Sequence, residues 1–141
     1  VTEEVVYDLK DKRWLQNRNK SENKVYLTID DGPSNLLPSI LDILLVKDVQ
    51  AVFFWEARLL NKDRPWKRVI SEGHKIGSHA FYHNNLTDLS YDQQYLQIKD
   101  SVVELEEITG AKIEFFRPPY GRYNEDTMSI VEELKLTPVM W

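Results

Sequence analysis

Ala51-Val52-Phe53-Phe54-Trp55 is a continuous apolar run, bounded by Asp48 to Gln50 on one side and Glu56 on the other. It is too short for a helix, rich in β-branched and aromatic residues, and apolar on both faces. It therefore reads as a strand buried on both sides, the pattern of a parallel sheet covered by helices. Towards the N-terminus, Val25, Leu27 and Ile29 alternate with less apolar neighbours and read as the preceding strand. Towards the C-terminus, Lys75 to Ser78, Ile113 to Phe116 and Thr137 to Trp141 are weaker strand candidates.

The intervening segments read as helices. Ser34 or Asn35 is expected to cap the first, whose Pro38 suits an early helical position and whose Leu37, Ile40, Leu41 and Leu44 form one face. Pro65 to Glu72 is short and stops at Gly73. The longest begins at Ser90, with Gln93 three residues on as a capping box. Its Tyr91, Tyr95, Ile98, Val102, Leu105 and Ile108 fall at helical spacing before Gly110. Those aromatics read as core. Asn124 is expected to cap a last helix with Met128, Val131 and Leu134 as its stripe. Strand and helix in this alternation predict an α/β fold of parallel strands with right-handed crossovers, as an open sheet or part of a barrel. In either, function gathers at the carboxyl ends of the strands.

Composition narrows the partners. The 141 residues are 42% hydrophobic and 29% charged, ordinary for one globular domain with a core. Setting 18 basic against 23 acidic residues gives −5, with no long basic run, which argues against nucleic acid or an anionic membrane surface. A neutral polymer suits this surface better. No apolar stretch reaches the roughly 18 residues of a membrane span, and Val1-Thr2-Glu3-Glu4 lacks the regions of a signal peptide, so a mature form is expected. Without cysteine, disulfides and thiolate ligands are excluded.

Three motifs follow three of the strands: Thr28-Ile29-Asp30-Asp31-Gly32-Pro33, His79-Ala80-Phe81-Tyr82-His83, and Arg117-Pro118-Pro119-Tyr120-Gly121. Asp30 and Asp31 are adjacent, so their side chains diverge in extended backbone, and one can face a cation while the other faces a water beside it. Taken alone, Asp-Asp-Gly-Pro reads first as turn chemistry. His79 and His83 fall on one face if their loop turns helically, and neutral imidazole is a common ligand for zinc and related ions. The pair lacks the Glu that zinc proteases place after the first His, since Ala80 stands there. Two His and one carboxylate also match a non-haem iron oxygenase, which the residues alone leave open. His74 has no partner at such spacing and reads as structural. A guanidinium from Arg117 close to Asp30 would keep that carboxylate ionised, as a general base requires. The prolines stiffen the loop so that it can offer a backbone N–H to an oxyanion, and Gly121 permits close backbone approach.

In this order and on this strand pattern, the three motifs resemble those of the NodB-homology polysaccharide deacetylases, carbohydrate esterase family four. Gly73-His74-Lys75-Ile76-Gly77-Ser78-His79 and Leu86-Thr87-Asp88-Leu89-Ser90 extend the match between them. The resemblance covers residues 24 to 141, leaving 1 to 23 as an N-terminal extension. It implies a distorted (β/α) barrel and metal-dependent deacetylation of an acetylated sugar polymer. The implied substrate class is peptidoglycan or chitin-type N-acetylglucosamine, with acetylxylan also open. By resemblance, Asp30 is the catalytic base, Asp31, His79 and His83 are the metal ligands, Arg117 orients Asp30, and the Tyr120 N–H faces the oxyanion. The implied cofactor is a divalent metal, Zn2+ first, with Co2+ or Ni2+ as alternatives. The implied setting is the outside or surface of a bacterium.

The chain departs from the family at four points. Ala80 stands where Ser or Thr is usual, and Ile29 where Phe is usual. The family's late Asp-x-x-Asp-Trp segment and the acid histidine of its Leu-x-His motif do not occur before Trp141. Five strand units are also few for a barrel, so an incomplete barrel is expected, a fragment or one piece of a split protein whose remainder comes from another chain. A catalytically incomplete sugar-binding fragment or pseudoenzyme is the alternative reading. Asn85-Leu86-Thr87 matches a glycosylation sequon but reads as a loop.

Overall fold

Phe53, Phe54 and Trp55 are buried to within 1% of completely, as a strand covered on both faces requires. This run lies inside a sheet, flanked on each side by another parallel strand. The computed structural model describes residues 10–13 and 25–141 and the backbone of Val5–Val6, so most of the expected extension lies outside the described residues. In chain order the elements are β1 (Val5–Val6), β2 (Leu27–Asp30), α1 (Leu37–Lys47), β3 (Ala51–Trp55), α2 (Trp66–Ser71), β4 (Lys75–Ser78), α3 (Tyr91–Thr109), β5 (Phe115–Phe116), β6 (Arg122–Tyr123), α4 (Glu125–Glu133) and β7 (Thr137–Pro138).

The main sheet has five strands in the order β2-β3-β4-β5-β7, every neighbouring pair parallel. Thr28 lies opposite Val52, Phe53 opposite Ile76 and Ser78 opposite Phe116, so the strands finish at one edge. Among the described residues the sheet stays open, with β2 and β7 at its margins. It is the expected parallel sheet with alternating helices, an incomplete part of a barrel. The strand expected from Val25 begins only at Leu27, because β2 is an edge strand and Val25 is 94% exposed with no sheet to pack on.

The core joins sheet and helices through Leu41, Phe53, Trp55, Leu86, Ile98, Leu105, Phe116 and Ile130. Burying each such side chain contributes about 1.5–3 kcal/mol. Gly77 sits where a Cβ would come within 2.6 Å of the Phe54 ring, so only glycine lets β4 lie against that aromatic.

The helix ends follow the sequence with corrections. Ser90 and Gln93 form the expected capping box of α3, and Asn124 with Thr127 forms one on α4. The first helix instead takes Leu36 as N-cap, with no side-chain cap, while the Ser34 hydroxyl accepts from the Leu36 N–H before the helix starts. Tyr91, expected in the core, is half exposed and its hydroxyl donates to Glu133. The N-terminal segment is partly docked. Its β1 pairs antiparallel with β6, Arg13 bonds Asp11 and Glu125, and the Tyr123 hydroxyl donates to Asp11.

Candidate metal and base site

The carboxyl ends of the strands are stitched into one rim by backbone hydrogen bonds. Glu56 N–H donates to Gly32, His79 N–H to Trp55, Ala57 N–H to Ala80, and Arg117 N–H to Ser78. Residues far apart in sequence are thereby held side by side.

Asp31 adopts left-handed backbone at φ 62°, and its carboxylate meets the histidines while that of Asp30 meets Arg117. Its Oδ1 lies 3.4 Å from His83 Nε2 and 3.7 Å from His79 Nε2. One ligand atom from each of the three residues falls within 4.8 Å of the others. Ligands at about 2.0–2.2 Å from a tetrahedral zinc stand roughly 3.4 Å apart, so the spacing fits such an ion. The donor set, two imidazoles and a carboxylate, suits a borderline divalent cation. The imidazoles meet in a way the spacing did not foresee. Residues 79–83 form no helical turn; a bend with Ala80 at φ 67° folds His83 back, bringing the ring centroids to 4.9 Å.

His79 is held from behind. Its Nδ1 lies 2.7 Å from the Arg117 carbonyl, an acceptor, so Nδ1 carries the proton and Nε2 presents its lone pair towards Asp31. Burial is the largest influence on this ring and lowers its pKa, favouring the neutral, ligating form.

Arg117, 1% exposed, occupies the other half of the site. Its Nη1 donates to Asp30 Oδ1 at 2.6 Å and to Thr28 Oγ1 at 2.9 Å; Nε donates to the Val139 carbonyl and Nη2 to that of Met140. The guanidinium also lies 4.2 Å from the Phe54 ring centroid. A buried charge needs this degree of satisfaction. Next along the chain, Tyr120 adopts φ 60° and sets its ring edge-on to His83 at 4.5 Å. Gly121, at φ +66°, leaves room for Trp141, which would stand 3.0 Å from an added Cβ.

All six residues singled out from the motifs thus converge at one rim. His74 stands apart, as expected of a structural histidine: its Nδ1 accepts from the Ala51 N–H. Two grooves share His83. One, of about 470 Å³, runs past Asp31 between Pro33, Asn35, Glu56, Leu59 and Arg64. The other, of about 760 Å³, is lined by Asn84, Asn85, Asp88, Tyr120 and Arg122. Thr28, Glu56 and Arg64 were missed in the sequence. Glu56 carried a readable signal, an acidic residue directly after the most apolar strand; Arg64 lies in a loop without one.

A parallel sheet with helical crossovers and a two-histidine, one-carboxylate cluster beside an Asp–Arg pair defines an α/β protein with a candidate metal and base site. Comparison with known proteins names it more closely. The polysaccharide deacetylase family matches residues 17–139, and the chain belongs to that family. It is 37% identical over 125 residues to a peptidoglycan-N-acetylglucosamine deacetylase of Bacillus cereus, covering 87% of this chain and 45% of that protein. A family 4 carbohydrate esterase from Streptomyces lividans, solved in complex with acetate, superposes with TM-score 0.78 at 29% identity, over 83% of this chain and 62% of that one. A family 4 pseudoenzyme from Bacillus anthracis gives TM-score 0.75 at 30% identity, over 82% of this chain and 42% of that one. The chain spans about half the length of the curated relatives it matches.

Proposed function

We propose that this chain carries the metal and base half of a hydrolase that removes acetyl groups from an acetylated sugar polymer, with N-acetylated peptidoglycan or chitin-type glycan at a bacterial surface as its substrate. The observation that carries this reading is the convergence of Asp31, His79 and His83 beside the Asp30–Arg117 pair. Relatives named as peptidoglycan-N-acetylglucosamine, peptidoglycan-N-acetylmuramic acid and chitooligosaccharide deacetylases support the substrate class.

Asp31, His79 and His83 would hold a divalent ion, zinc by preference, with cobalt or nickel suiting the same donors. Such an ion, when bound, polarises the acetyl carbonyl and acidifies a water. Asp30 is placed as the general base that would take a proton from the attacking water. Arg117 keeps Asp30 ionised and fixes its direction through the 2.6 Å bond. The Tyr120 N–H, presented by a loop stiffened by two prolines, stabilises the oxyanion formed on attack. His79 and His83 are committed to the ion and His74 to Ala51, so the proton for the departing amine comes from another group.

The test compares acetate release from acetylated chito-oligosaccharide by the zinc-loaded chain and its Asp30→Asn variant. Loss of a general base is expected to lower the rate by about 10²–10⁴. Equal release by the two proteins would refute the assignment, and no release by either would favour the sugar-binding alternative.

A further inference from the structure

The bend that carries the two histidines is held by more than its own residues. Ala80 sits at φ 67°, a backbone conformation that alanine keeps only where its surroundings fix it. Every amide from His79 to Tyr82 has an acceptor. His79 N–H donates to the Trp55 carbonyl, Ala80 N–H to the Ser78 hydroxyl at 3.2 Å, Phe81 N–H to the Gln97 carbonyl at 2.9 Å, and Tyr82 N–H to Gln97 Oε1 at 3.0 Å. The carbonyls of Ala80 and Phe81 in turn accept from the N–H groups of Ala57 and Arg58.

Three of these bonds trace to one face of α3. Gln97 and Ser101 stand four residues apart on that helix and so project from the same side. Ser101 Oγ lies 2.6 Å from Ser78 Oγ, and both serines are completely buried. Ser101 interrupts the buried stripe of Ile98 and Leu105, although a buried hydroxyl is costly unless it is bonded. Its partner is the hydroxyl that receives the Ala80 amide. Ala80 has no side-chain group of its own to brace the bend, so the bracing comes from Ser78 and α3.

Resting on the reading of Asp31, His79 and His83 as ligands, we infer that Gln97 and Ser101 are positioning residues of the metal site. They act through the backbone of residues 80 to 82, keeping His83 folded back on His79 with the ring centroids 4.9 Å apart before an ion arrives. A site assembled in advance spares the ion the cost of ordering its ligands, so this face of α3 sets the affinity.

Titration of the metal-free chain with Co2+, followed by the visible absorption of the bound ion, tests this on protein shown to be folded by circular dichroism. Binding by the wild type and its loss in His83→Ala report on the ligands themselves. Gln97→Met and Ser101→Ala are each expected to weaken Co2+ binding by about tenfold or more, the scale on which supporting partners act, and to alter the absorption bands. Gln97→Glu keeps an acceptor oxygen at the same reach and should restore wild-type affinity. Thr127→Val is the control for stability alone. It breaks the buried bonds of Thr127 to Gln94 and Asn124, which involve none of residues 79 to 83, and should leave affinity unchanged. Hydrogen exchange of the metal-free wild type should show the Ala80 and Phe81 amides protected, as an arrangement formed before the ion requires. Wild-type affinity in both Gln97→Met and Ser101→Ala, an equal loss in Thr127→Val, or rapid exchange at Ala80 and Phe81 would overturn the inference while leaving the ligand reading intact. No Co2+ binding by the wild type would overturn both.

Discussion

Replacing Arg117 by methionine removes a guanidinium while keeping an unbranched side chain of similar reach against Phe54. The pair it breaks is buried on one side only, since the Asp30 side chain is 32% exposed and that of Arg117 is 2% exposed. Breaking a fully buried pair costs about 3–5 kcal/mol, and water reaching Asp30 reduces this to about 2. The Val139 and Met140 carbonyls lose their donors as well, at roughly 0.5–1 kcal/mol each. The sum is about 3–4 kcal/mol. At a urea slope of about 1.5 kcal/mol/M, the unfolding midpoint should fall by about 2 M. Acetate release, measured on the folded fraction, should fall by about 10²-fold because Asp30 loses its orienting partner. The pair should also be coupled, so that Arg117→Met in an Asp30→Asn background costs clearly less than in the wild type. A wild-type midpoint, or effects of the two substitutions that simply add, would refute the role given to this contact.

Three further outcomes follow from the geometry. Zinc at a hundred times its dissociation constant should stabilise the wild type by about 2.7 kcal/mol in thermal or urea unfolding and leave His79→Ala unmoved; equal stabilisation of both would place the ion elsewhere. Burial lowers the pKa of both His79 and His74 from the ordinary 6.5, so below that value the unfolded chain takes up protons more readily than the folded one. Stability is therefore complete above pH 6.5 and lost as the pH falls below it, which urea titrations across that range would show, and a flat profile would contradict. Gly77→Ala should destabilise by about 1–3 kcal/mol, since its Cβ would meet the Phe54 ring at 2.6 Å and the Phe115 carbonyl at 3.2 Å; an unchanged midpoint would mean that β4 shifts freely.

The sequence by itself determined the parallel sheet and the membership of the site. The parallel arrangement could be read because Ala51 to Trp55 is apolar on both faces, and the Ser90 and Asn124 caps because capping is a local interaction within three residues. Asp30, Asp31, His79, His83, Arg117 and Tyr120 were legible because a parallel sheet brings the ends of its strands to one rim whatever the intervening sequence. What the tertiary structure decided depends on distance across the chain. The histidines meet through a left-handed bend at Ala80, where helical spacing had suggested a turn. The first helix begins at Leu37 without the Ser34 or Asn35 cap, and Asn35 instead holds Arg64 from 29 residues away. The docking of Val5–Val6 on β6 and the four-way satisfaction of Arg117 likewise rest on partners that no sequence window contains. A side chain's chemistry is written in its identity, but its charge state and direction are set by neighbours that only the folded chain supplies.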